Sequence, residues 1–128
     1  DVLTADKIEA NVETTIANVT DIPASSMILD IGPETANNYV RILSSMNTVV
    51  WNGPMGVFEV PPFDTGTKKI ANHLSMSHAV TVIGGGSTSE AVTHLGLETY
   101  MSHVSTGGGA FLEFIQGANM PGLNSLNY

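Results

Sequence analysis

The 128 residues contain no cysteine, which removes disulfides, a thiolate nucleophile and any cysteine-based zinc site, and is compatible with a reducing cytosol. Basic residues are nearly as scarce: Lys7, Arg41, Lys68 and Lys69 stand against twelve acidic side chains, a formal net charge of -8. Such a surface repels a nucleic-acid backbone instead of releasing counterions from it, which argues against nucleic-acid binding. Any phosphate recognition must therefore come mainly from backbone N–H groups and helix N-termini. No segment reads as a secretory hydrophobic region or a membrane span. His73, His78, His94 and His103 show no paired i,i+4 spacing and no accompanying carboxylate motif, so they do not read as a zinc site. Ser105 and His103 carry no nucleophile-elbow signature, and hydrolase chemistry has no support.

What is present suits one compact domain. Hydrophobic residues make up 42% and charged residues 12%, unlike a disordered, highly charged chain. A chain of this length buries roughly two-thirds of its unfolded surface on folding. The opening Asp1 to Asp6 is strand-like and apolar with no initiator Met, and is read as an internal cut. The expectation is a single, incomplete domain over residues 1–128.

Apolar runs at 27–31, 48–51, 79–83 and 101–104 read as strands, and the stretches 34–45, 64–75, 88–95 and 110–116 between and after them as helices. This alternation predicts an α/β fold: a parallel sheet with flanking helices, part of a three-layer, Rossmann-like domain. The runs at 48–51 and 80–83 barely alternate polar with apolar residues, which predicts strands buried on both faces. Pro33, Pro61 and Pro62 sit at or just before helix starts, while Pro54 and Pro121 mark loops. Residues 11–26 read as mostly irregular.

Two glycine triplets, Gly84-Gly85-Gly86 and Gly107-Gly108-Gly109, each follow a strand and precede a helix. Without a Cβ there, a ligand oxygen can approach the backbone while the first free N–H groups of the helix point toward it. Two such loops at the carboxyl ends of parallel strands make an anion-binding rim. The plainer reading is a pair of tight strand-to-helix turns. Neither is a Walker motif or a dinucleotide fingerprint, so residue spacing alone carries generic phosphate binding and no more. A third loop runs from Trp51 through Asn52-Gly53-Pro54-Met55-Gly56-Val57-Phe58 to Glu59. Glu59 reads either as an acceptor for ribose hydroxyls or as a solvated loop charge. Trp51 and Phe58 read as core.

Taken in order, Leu29-Asp30-Ile31-Gly32-Pro33, the loop from Trp51 to Glu59, Ile83-Gly84-Gly85-Gly86, and Met101 through Ala110 resemble the C-terminal half of phosphoglycerate kinase. The likeness continues through Phe111-Leu112-Glu113-Phe114 to Met120-Pro121-Gly122. It implies a cytoplasmic glycolytic enzyme, monomeric as a family, that moves a phosphoryl group between 1,3-bisphosphoglycerate and ADP with Mg2+, giving 3-phosphoglycerate and ATP. By that likeness Glu59 holds the ribose and Asn52 lies beside the phosphates. Gly84, Gly85, Gly86, Ser87 and Thr88 form the phosphate loop, and Gly107, Gly108 and Gly109 lie near the transferring phosphoryl group, where N–H dipoles stabilise its oxygens. The family pattern has an Asp that coordinates magnesium where this chain has Ser87, so no metal ligand is expected here and metal-nucleotide binding should be weakened. The resemblance also implies that 3-phosphoglycerate is bound by an N-terminal domain lying outside this chain, as do a lysine and much of the adenine pocket. The isolated chain is therefore expected to be inactive. Two other readings remain open: a non-catalytic nucleotide- or phosphate-binding module, and a structural fragment that self-associates through an exposed sheet edge.

Overall fold

The computed structural model describes residues 1–126. Two three-stranded sheets organise it. The first is antiparallel, with β1 (Val2–Ala5) between β2 (Thr15–Ala17) and β3 (Met27–Ile31). The second is parallel, in the order β4 (Thr48–Asn52), β5 (Val80–Gly84) and β6 (His103–Val104). Helices α1 (Pro33–Leu43), α2 (Thr65–Ser75), α3 (Gly86–His94), α4 (Gly109–Ile115) and the short α5 (Pro121–Asn124) complete the fold. No helix among the described residues is long and apolar enough to cross a membrane.

The α/β expectation of a parallel sheet with flanking helices holds for β4, β5 and β6. It fails for residues 27–31: that strand pairs antiparallel with β1 and belongs to the other sheet. An apolar run states that a strand is half-buried and leaves its partner open. Residues 11–26 are also less irregular than expected, since they supply β2 as an edge strand on β1. Pro121 is the first residue of α5 instead of a loop residue, a position where its missing N–H costs nothing.

Pro33 does begin α1, and the cap comes from across the fold. Asp1 accepts the N–H groups of Thr35 at 2.7 Å and Glu34 at 3.1 Å. A carboxylate there satisfies orphan donors and complements the positive end of the helix. The main core joins the parallel sheet to two helices: Val49, Trp51 and Ile83 meet Ile70, Ala71 and Leu74 of α2 and Val92 of α3. A smaller cluster of Ala5, Leu29 and Phe63 binds the antiparallel sheet to the loop before α2. β4 is not buried on both faces as its run suggested. It alternates, with Val49 and Trp51 inward and Val50 exposed, because one side packs on the helices and no described element covers the other. Phe58 is half-buried and stands outside both clusters.

Candidate functional site

In-register pairing sets the three parallel strand ends side by side. Asn52, the last residue of β4, is partnered with Gly84, the last residue of β5. Val104 is partnered with Ile83, and Ser105 N–H continues the ladder to Ile83 O at 2.8 Å. The loops beginning at Gly53, Gly85 and Ser105 therefore leave one edge of the sheet, the carboxyl edge at which open α/β sheets bind ligands.

The first triplet divides its work. Gly84 is buried under the ring of Phe111, which occupies the space that a Cβ would fill. Gly85 caps α3 at φ 86° with the side-chain amide of Asn52 against it. Around Gly86 the space is open, and Ser87 is exposed. Because Ser89 N–H makes the first bond of the helix, to Gly85 O at 3.0 Å, the N–H groups of Gly86, Ser87 and Thr88 have no intrahelical partner and lie at its positive end. The Thr88 side chain is fully buried, and its hydroxyl accepts Gly53 N–H at 2.7 Å. Gly84 and the Thr88 hydroxyl thus shape the rim from below, while Asn52, Gly86 and Ser87 face outward from it.

The second triplet is joined to the first through Ser89, whose hydroxyl donates to Ser105 O at 3.0 Å. Ser105 Oγ in turn accepts Gly107 N–H at 3.2 Å, Gly108 caps α4 at φ 53°, and Gly109 is exposed. Glu59 lies in a groove that neither triplet lines. It is exposed, and the groove, of about 240 Å³, is lined also by Phe58, Pro61, Asp64, Glu90 and His94.

Among the described residues, each Lys and Arg side chain is paired with another side chain. Lys7 pairs with Glu9, Lys68 with Asp64 and Lys69 with Asn37, while Arg41 bonds Asn38. What remains is a set of N–H donors, a serine hydroxyl and an asparagine amide, a donor set suited to an anion. Sequence reasoning missed Ser89 and Thr67, the latter buried and accepting Met55 N–H at 3.0 Å. Nothing distinguishes either from a surface hydroxyl before the fold is known. Asp30 did carry a signal, as an acid inside an apolar strand run. It is buried, and desolvation raises its pKa above the ordinary 3.8; the N–H groups of Gly66 and Ile31 pull the other way, and the charge of Asp64 adds to the rise.

Comparison with known proteins bears on the whole arrangement. A family model described as "Phosphoglycerate kinase" matches residues 1–118. The chain is 48% identical over 127 residues to a phosphoglycerate kinase of Herpetosiphon aurantiacus, covering 99% of this chain and 32% of that protein. To the Thermus thermophilus enzyme it is 50% identical over 127 residues, covering 98% and 33%. Among solved structures, phosphoglycerate kinase from Coxiella burnetii superposes with a TM-score of 0.87 at 39% identity, over 91% of this chain and 30% of that one. The Pyrococcus horikoshii enzyme gives 0.82 at 33% identity, over 98% and 31%. The chain thus spans about a third of the length of the relatives it matches. With its parallel rim, its two glycine loops and these relatives, the chain belongs to the phosphoglycerate kinase family.

Proposed function

We propose that this chain supplies the nucleotide-phosphate side of a phosphoglycerate kinase, the enzyme that moves a phosphoryl group between 1,3-bisphosphoglycerate and ADP to give 3-phosphoglycerate and ATP in the cytoplasm. One observation carries the reading: the N–H groups of Gly86, Ser87 and Thr88 lack helical partners and open at the carboxyl edge of the sheet beside Asn52. They bind the nucleotide phosphates, Asn52 orients them, and Glu59 accepts the ribose hydroxyls. The backbone of Gly107, Gly108 and Gly109 stabilises the oxygens of the transferring group. This is positioning and charge stabilisation without a covalent intermediate.

Magnesium does not fit the residues at this rim. The loop offers a neutral hydroxyl at Ser87 and N–H groups, whereas the ion takes one or two carboxylates together with substrate phosphates and water. Binding of ADP by this chain is therefore expected to change little with magnesium. The 3-phosphoglycerate is bound by parts of the enzyme outside this chain, so the chain alone turns over no substrate. Titrating ADP with and without magnesium, while following the amides of residues 84–88 and 107–110, tests the reading. Saturable shifts support it, and a folded spectrum without shifts contradicts it.

A second reading has its own observation. β4 is an edge strand with Val50 exposed, and beside it lies an apolar cleft of about 300 Å³ lined by Tyr39, Ile42, Leu43, Trp51 and Met55. Such an edge invites association, and the chain then acts as a self-associating module. Sedimentation that stays monomeric at rising concentration counts against it.

A further inference from the structure

We infer that Asp30 is a positioning residue for the loop that carries Glu59, an inference that rests on the nucleotide reading above. The register between β1 and β3 slips so that Leu3 faces Asp30 and Thr4 faces Ile28. Leu29 is the extra residue of this bulge and its carbonyl is released from the ladder. That carbonyl accepts Val57 N–H at 2.9 Å, one anchor of the loop. The other anchor is on α2, where Thr67 Oγ1 accepts Met55 N–H at 3.0 Å.

Asp30 sets the distance between these two anchors. Its Oδ1 accepts Ile31 N–H at 2.8 Å on its own strand, and its Oδ2 accepts Gly66 N–H at 2.7 Å at the start of α2. The carboxylate also lies directly against the loop: a Cβ at Gly56 would come within 2.5 Å of Oδ1 and 2.6 Å of both Leu29 O and Phe63 O. A buried carboxylate with its oxygens held by backbone N–H groups is rigid. It clamps β3 to α2, and the loop from Gly53 to Glu59 is strung between them. The effect reaches the phosphate rim, because Gly53 is tied to Thr88. The neighbouring charge acting on Asp30 is Asp64, itself paired with Lys68 at 2.5 Å.

The test is Asp30→Asn in the full 128-residue chain, read by amide hydrogen exchange and by ADP titration. Asparagine keeps the shape and one acceptor but turns the other position into a donor facing an N–H group. The expected result is faster exchange confined to residues 55–59 and the start of α2, with ADP binding weakened about tenfold. Unchanged exchange at residues 55–59 overturns the inference, as does a loosened loop with unchanged ADP affinity, or exchange that rises equally in α1 and β5. If the wild-type chain binds no ADP, the nucleotide reading fails, while exchange at residues 55–59 still decides the positioning claim. If Asp30→Asn does not fold, the wild-type chain decides by pH titration of the Asp30 carboxyl. Amides 55–59 that follow its midpoint support the inference; a response limited to Ile31 and Gly66 overturns it.

Discussion

The two glycine triplets look alike in sequence and share a plan in the fold, yet they are anchored very differently. In each, the middle glycine caps a helix at positive φ and the third has open space around it. The helix after the first triplet buries Thr88, Ala91 and Val92, while the helix after the second buries only Phe111. Phe111 reaches back to sit on Gly84, so the second loop is docked onto the first. A phosphate site needs fixed donors, and the first loop is the better anchored of the two.

The largest effect expected from breaking this contrast is Phe111→Ala, which removes the seat of α4 at a cost of about 3 kcal/mol. Amide exchange should then rise in residues 107–115 while residues 89–92 stay protected. Next is Thr88→Val, which leaves the partly buried Gly53 N–H without its acceptor and should cost about 2 kcal/mol in denaturant unfolding. Gly85→Ala is expected to cost roughly 1–3 kcal/mol, because φ 86° is nearly closed to residues with a Cβ. Gly86→Ala, one position on, should lie within about 0.5 kcal/mol of wild type, since nothing opposes the added methyl. The smallest effect is a pH slope. Burial raises the pKa of Asp30, so between its unfolded and folded values the folded state binds more protons, and stability falls as pH rises through that window. The window opens near the ordinary value of 3.8. Asp30→Asn should flatten the slope in melts taken at stepped pH.

Much of the rim was legible in the sequence because strand, glycine triplet and helix are consecutive there. The expected helix at residues 88–95 is the observed Gly86–His94, begun two residues earlier because glycines can serve as cap and first turn. The partner of residues 27–31 was not legible, since antiparallel pairing with Val2–Ala5 depends on a distant segment. Alternation in β4 was hidden for a similar reason: Val50 is as apolar as Val49, and only the missing cover on one side separates them. The hydroxyl ties Thr88 to Gly53, Ser89 to Ser105 and Thr67 to Met55 look like ordinary polar residues until the chain has folded around them.

The central claim is the proposal that the backbone N–H groups of Gly86, Ser87 and Thr88 hold the phosphate. Gly86→Pro tests it most directly, because proline is accommodated at the first helical position and removes one N–H donor there while leaving the helix start intact. The account predicts ADP binding weakened about tenfold at an unchanged melting temperature; ADP affinity equal to that of the wild-type chain would contradict it.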